Sequence, residues 1–267
     1  MKRVAESEIQ NEFERQYAWG DDERHYYNPN RRKASVMGYF LRLNTVLEMV
    51  RTYAPKGPGN GVSRIADMAS AQGNFGLLLA EEGYDVTAVD IKEEFLAYAK
   101  KKYTGGKFSC VQANLMEFRS NEPFDCVIMG EVIEHVAYPD QLLKAAWENL
   151  KPGGILVLST PNGDEFGQPL PTYSQVSDLS TLIPRQFHWG DHLFLYTEAE
   201  LTQLLVAQGF EVKTIRKINS CFVSQIKGAR YIMPQAFLHW LENRSRSWKK
   251  NGKDSTCNMV AVARKPW

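Results

Sequence analysis

The chain has 267 residues, with 32 basic against 31 acidic side chains and 43% hydrophobic residues. That balance excludes a disordered or fibrous chain, and a formal net charge of +1 supplies no global field for drawing in nucleic acid or an anionic membrane. No apolar run approaches the ~20 residues of a membrane span, the opening Met1-Lys2-Arg3-Val4-Ala5-Glu6-Ser7-Glu8 has no secretory apolar core, and the cysteines form no CxxC pair. A reduced, cytoplasmic protein with no nucleic-acid and no membrane partner is expected.

Residues 1–35 are polar and charged, with scattered aromatics and a break at Asn28-Pro29-Asn30. Val36, Phe40, Leu43, Val46, Leu47 and Val50 then recur at helical spacing and predict a helix over Ala34–Tyr53. Pro55 to Gly61 reads as a linker. Beyond it, short apolar runs predict strands at Arg64–Met68, Asp85–Val89, Lys107–Val111, Phe124–Met129 and Ile155–Ser159. Between them lie helical patterns at Asn74–Glu82, Glu93–Tyr103 and Pro139–Leu150, the last with Pro139 in its first turn and Lys151-Pro152-Gly153-Gly154 as its stop. Residues 160–196 have no clear periodicity, and a loop of that length in a compact domain is usually functional. Thr197-Glu198-Ala199-Glu200 is a capping box opening a helix to Gln208, and Phe210–Ile218 and Asn258–Ala263 close the pattern as two strands. Strands alternating with helices predict a doubly wound α/β fold, with residues 1–55 as an N-terminal helical cap and 56–267 as the main domain carrying an insertion at 160–196.

The first strand leads straight into Ala69-Ser70-Ala71-Gln72-Gly73-Asn74-Phe75-Gly76 and a helix. Small residues in such a turn let backbone N–H groups approach a ligand at the helix N-terminus. The second strand ends in Val89-Asp90-Ile91, where a carboxylate can accept hydrogen bonds from both hydroxyls of a ribose. Turn and acid together signal a nucleoside ligand. NAD is one candidate for that ligand, since an acid also follows the second strand in dinucleotide folds.

Asp67, the small residues Ala69, Ala71 and Gly73, Asp90, and Asn114 with Leu115 resemble the cofactor motifs of the class I S-adenosylmethionine-dependent methyltransferases. The run Phe124 to Val136, containing Gly130-Glu131-Val132-Ile133-Glu134-His135, resembles the strand-four motif of the ubiquinone-type subgroup, as do Lys151-Pro152-Gly153-Gly154 and Ser159-Thr160-Pro161-Asn162 after it. The resemblance runs from about Arg64 to Phe210. It implies a Rossmann-like, mostly parallel seven-stranded sheet with helices on both faces and the last strand antiparallel. It also implies S-adenosylmethionine as cofactor, held by Asp67, Ala69, Gly73, Asn74, Phe75, Asp90, Ile91, Asn114, Leu115 and Glu131. One departure stands out: alanine replaces glycine at 69 and 71, harmless where φ is negative and costly where it is positive.

A hydroxyl nucleophile attacking a methyl group benefits from a base near neutral pKa, which points to histidine. His135 follows the fourth strand, and His188 and His192 lie in the long loop on the same edge, so His135 and His192 are the expected catalytic pair. Glu131, Glu134 and His135 fall at i, i+3 and i+4, and with His192 they resemble the magnesium quartet of the small-RNA 3′-end 2′-O-methyltransferases. The same string also looks like metal-free small-molecule enzymes, and no metal is expected. Tyr17, Trp19, Tyr26 and Tyr27 are candidates for a lid, Trp189, Phe194 and Tyr196 for an acceptor pocket, and the basic run Arg244, Arg246, Lys249, Lys250 and Lys253 for a solvated face. The expected function is methyl transfer to an oxygen, or less readily a nitrogen, of a small molecule. The alternatives are an RNA 2′-O-methyltransferase and a non-catalytic cofactor-binding protein.

Overall fold

A computed structural model describes residues 1–54, 63–185, 191–225 and 228–267. The expected linker at Pro55 to Gly61, together with His188 and Trp189, lies outside the described residues. A π-helical turn, Glu14–Trp19, leads into α1 (Gly20–Arg24), and α2 (Ala34–Tyr53) follows. Then come β1 (Arg64–Met68), α3 (Asn74–Glu81), β2 (Asp85–Asp90), α4 (Glu93–Lys102), β3 (Lys107–Gln112), β4 (Phe124–Gly130), α5 (Pro139–Asn149) and β5 (Leu150–Pro161). The chain closes with α6 (Glu198–Ala207), β6 (Glu211–Ser220), α7 (Cys221–Gln225), α8 (Gln235–Ser245), a small hairpin of β7 (Lys249–Lys250) and β8 (Lys253–Asp254), and β9 (Thr256–Arg264).

Seven strands form one sheet in the order β3-β2-β1-β4-β5-β9-β6. All pairings are parallel except those of β9, which is antiparallel to both β5 and β6. The strand period of two sorts the core into two layers. Cys126, Ile128, Ile155, Val157, Val260 and Val262 face α2 and α3, whereas Val127, Met129, Leu156, Leu158 and Ala261 face α5 and α6. This is the doubly wound architecture expected from the sequence.

Two boundaries differ from expectation. β5 begins at Leu150 rather than Ile155, because Leu150 pairs with Phe124 before a bulge in which Gly153 takes φ 75. The segment expected as a cap divides in two: α2 packs on β5, β6 and β9 as part of the sheet's own helical layer, and only the turns before it sit over α4. Strand order reverses where β1 lies between β2 and β4, which opens a crevice at the carboxyl ends of the strands.

Candidate active site

The turn from β1 to α3 is held from below by β2. The amides of Ala69 and Ser70 both donate to the Val89 carbonyl, at 2.9 and 3.1 Å, and Gly73 N donates to Ser70 O at 2.8 Å. Ala69 (φ 61), Ala71 (φ 44) and Gly73 (φ 74) are all left-handed. The two positions where alanine stands in place of the resemblance's glycine therefore do need positive φ, at roughly 1–2 kcal/mol for each alanine. At Gly73 there is also no room, since a Cβ would lie 2.9 Å from that of Ala99.

Asp90 ends β2 and is buried under this turn. Its Oδ2 accepts from Ala71 N and its Oδ1 from Lys92 N, both at 2.9 Å, so one carboxylate ties the turn to the strand. Burial raises its pKa, with the amide hydrogen bonds opposing the rise. Asp67 is deeper. Its Oδ2 accepts from Gly76 N at 3.0 Å, its Oδ1 has no hydrogen-bond partner among the described residues, and burial, helped by the charge of Asp90, pushes its pKa up to about 7.

The other cofactor candidates line the same edge with different freedom. Ile91 is exposed beside Asp90, an apolar surface open to a flat ring. Phe75 lies so close over Gly130 that a Cβ there would meet its ring at 2.6 Å. Asn114 turns the chain after β3, with Oδ1 accepting from Met116 N and Nδ2 donating to Glu117, both at 3.1 Å. Leu115 is buried in the core with Met68 and Val89, and offers a ligand little surface. The Asn74 side chain is engaged away from the turn, donating to Asp22 and Tyr39 and accepting from Lys102, so toward a ligand it has only its backbone N–H.

Past β4, Glu131 is left-handed (φ 53), and its backbone amide donates a hydrogen bond to the Ser159 carbonyl at 2.9 Å. Its Oε2 accepts from Arg42 of α2 at 3.2 Å and from Asn258 of β9 at 3.1 Å, while Oε1 is buried without a partner among the described residues. Asn258 in turn accepts from Asn219 at the end of β6, at 2.7 Å, and Asn219 is itself left-handed (φ 64). Beside this chain of side chains opens a cavity of about 250 Å³, lined by Gly38, Arg42, Asn219, Ser220, Glu242 and Asn258.

Glu134 and His135 sit in a single 3₁₀ turn. Glu134 is fully buried; its Oε2 accepts from the Thr160 hydroxyl at 3.0 Å, its Oε1 has no partner among the described residues, and burial with the nearby Glu131 charge holds its pKa well above the carboxylate range. His135 Nδ1 lies 2.9 Å from the Asp191 carbonyl, which can only accept, so Nδ1 carries the proton and Nε2 presents its lone pair. The His135 and His192 rings meet edge to face at 4.9 Å, and burial lowers the pKa of both. The two expected catalytic histidines, far apart in sequence, are thus neighbours. Glu134, His135 and His192 each place a ligand atom within 4.8 Å of the others, a set able to hold a divalent cation.

Other candidates fall elsewhere. Phe194 and Tyr196 are fully buried, packed on each other and on Tyr173, because the end of the long loop re-enters the core. Of the N-terminal aromatics, Trp19 donates to Val4 O and Tyr27 to Lys2 O, fastening the N-terminal segment to itself. The basic run is exposed apart from Arg246, which grips the buried Glu242 at 2.6 Å. Arg42, Asn219 and Asn258 escaped the sequence reading because they come from three distant segments with no local motif.

A family model described as a methyltransferase domain matches residues 37–215. The chain is 28% identical over 236 residues to the ubiquinone biosynthesis O-methyltransferase of Rickettsia prowazekii (strain Madrid E), covering 82% of this chain and 84% of that one. To the enzyme of the same name from Rickettsia canadensis (strain McKiel) it is 28% identical over 182 residues, 66% of this chain and 73% of that one. In fold it resembles Burkholderia thailandensis 1,6-didemethyltoxoflavin-N1-methyltransferase, solved with 1,6-didemethyltoxoflavin and S-adenosylhomocysteine bound. That likeness has a TM-score of 0.54 at 16% identity and covers 92% of this chain and 84% of that one. With the family match running from α2 into β6, across the turn, the acids and both histidines, the chain belongs to the S-adenosylmethionine-dependent methyltransferases.

Proposed function

We propose that this enzyme methylates an oxygen of a small molecule seated in the cavity between α2, β6 and β9. The observation that carries the reading is a concentration of buried polar atoms at one edge of the sheet with no hydrogen-bond partner among the described residues: Glu131 Oε1, Glu134 Oε1, Ser159 Oγ and Asn219 Oδ1. Each such atom costs roughly 1–3 kcal/mol when left unpaired, so a group of them is better explained by a ligand that supplies the missing hydrogen-bond partners. The curated relatives named as O-methyltransferases support oxygen over nitrogen.

The residues present fit the cofactor. The Asn74 and Phe75 amides at the head of α3 have no intrahelical partner, Asp90 at the end of β2 would accept the hydroxyls of a ribose, and the orphaned Asp67 Oδ1 is a buried acceptor that an ammonium group can satisfy. Bound S-adenosylmethionine supplies an electrophilic methyl group on sulfur. Arg42 and Asn258 hold Glu131, which with Asn219 orients the acceptor's hydroxyl groups. His135 Nε2, kept neutral by burial, accepts the proton of the reacting hydroxyl, and His192 keeps water from that nitrogen. Work in the reducing cytoplasm fits the free Cys110, Cys126, Cys221 and Cys257.

A second reading rests on the Glu134, His135 and His192 set. His135 gives its Nδ1–H to a carbonyl and leaves Nε2 open, the outer-shell pattern of a metal ligand. There the three side chains would hold a divalent cation that orients the acceptor oxygen. Single-turnover transfer to hydroxylated ring acceptors, with and without chelator, separates the two. Loss of transfer on chelation favours the cation, and no transfer to any oxygen acceptor refutes the proposal.

A further inference from the structure

Lys102 ends α4 in the run Lys100-Lys101-Lys102, yet its side chain is wholly buried. Its Nζ donates to Asp22 Oδ2 at 2.6 Å, to the Gln72 carbonyl at 3.1 Å and to Asn74 Oδ1. One acceptor belongs to the N-terminal segment and two to the cofactor turn. Asn74 closes the ring by donating Nδ2 to Asp22 Oδ1 at 2.8 Å and to the Tyr39 hydroxyl at 2.6 Å. Gln72 adds a tie from Nε2 to Asp21 at 2.7 Å. Around these groups Val4, Ala18, Phe95 and Tyr98 form a small core against which Ala71 packs.

A buried ion pair is a poor stabiliser by itself, because desolvation of both charges offsets most of their attraction. What it does supply is direction, and the turn it grips is one whose own backbone resists the shape. A glycine turn reaches left-handed φ without steric cost. Alanine at 69 and 71 does not, so relaxed conformations compete unless the peptides are held from outside. The Gln72 carbonyl, between Ala71 and Gly73, is one of the atoms Lys102 holds.

We propose that Lys102, clamped by Asp22, is a positioning residue that keeps the alanine-bearing turn in its left-handed, cofactor-ready shape, so that the N-terminal segment is a working wall of the cofactor site. The inference rests on the reading that this turn holds S-adenosylmethionine. It yields a signature that general destabilisation does not: glycine at 69 and 71 makes the clamp dispensable.

The experiment measures S-adenosylhomocysteine affinity by calorimetry on the full chain. Lys102→Met should weaken binding about tenfold or more, and adding Ala69→Gly with Ala71→Gly should restore it to within about threefold of wild type. The same glycine pair in the otherwise native chain should change affinity by less than about threefold. Asp21→Ala cuts the partly exposed Gln72 tie, and with it the Asp21 contact to His25 outside the clamp; it should weaken binding several-fold and be rescued likewise, and it decides the matter if Lys102→Met does not fold. Unchanged affinity in a folded variant, or a loss that glycine fails to rescue, overturns the proposal. Asp90→Ala separates the two layers: if it leaves binding intact, the turn is not the cofactor site; if it abolishes binding while Lys102→Met and Asp21→Ala do not weaken it, only the clamp is wrong.

Discussion

Replacing Asp90 with alanine tests the cofactor site at its most connected atom. The carboxylate lies 6% exposed at the end of β2, with Oδ2 on Ala71 N and Oδ1 on Lys92 N at 2.9 Å each. A ribose would add two hydrogen bonds to a charged acceptor, each worth ~1.5–3 kcal/mol. Even at the low end their joint loss is about 3 kcal/mol, or on the order of 10²-fold in affinity. The variant also frees the Ala71 amide, so the turn loosens and the loss can only grow. Stability should fall by ~2–6 kcal/mol for the two deprived amides at about 1–3 kcal/mol each, a drop of several degrees or more in melting temperature. Calorimetric titration with S-adenosylhomocysteine, alongside a thermal melt, reads both effects. Burial raises the Asp90 pKa and protonation removes an acceptor, so wild-type affinity should decline as pH falls through that raised value and be flat above it. A folded Asp90→Ala protein binding within about threefold of wild type would refute the ribose assignment.

His135→Ala and His192→Ala should each keep S-adenosylhomocysteine affinity. Transfer in single turnover should fall by ~10²–10⁴ for the residue that takes the proton, and wild-type rates in both would sink the catalytic assignment. If a cation works there instead, both variants should fail together and chelation of the native enzyme should reproduce their defect. Asn258→Ala removes a support of Glu131 beside the cavity, so the acceptor KM should rise about tenfold or more with cofactor affinity unchanged; the opposite split would place the acceptor elsewhere. Asp67 is held at about 7 by burial but titrates near 4 unfolded, so the stability it contributes is complete below about pH 4 and lost as pH rises through 7. Asp67→Asn should therefore gain on the ligand-free wild type by roughly 2.5 kcal/mol between about pH 5 and pH 8, and a pH-independent difference between the melts would contradict this.

Much of the architecture was legible in the sequence because it rests on local periodicity. Alternating apolar runs and helical spacing marked the seven sheet strands, and the capping box at Thr197 forms as expected, with Thr197 Oγ1 accepting from Glu200 N at 3.1 Å and Glu200 Oε2 from Thr197 N at 2.7 Å. The turn after β1 and the acid after β2 were legible for the same reason, since both lie within a few residues of a strand end. Tertiary structure alone decided the rest. Backbone φ at Ala69, Ala71 and Glu131 depends on which acceptor oxygens lie beneath them, and neighbours in the chain do not fix it. Lys102 reads as one more solvated lysine at a helix end until Asp22, eighty positions earlier, is folded over it. Arg42, Asn219 and Asn258 carry no motif, and they meet Glu131 only because β9 inserts between β5 and β6 and α2 lies across them. A sequence pattern records what one element requires of itself; how charge and strain are shared between elements exists only once they are packed.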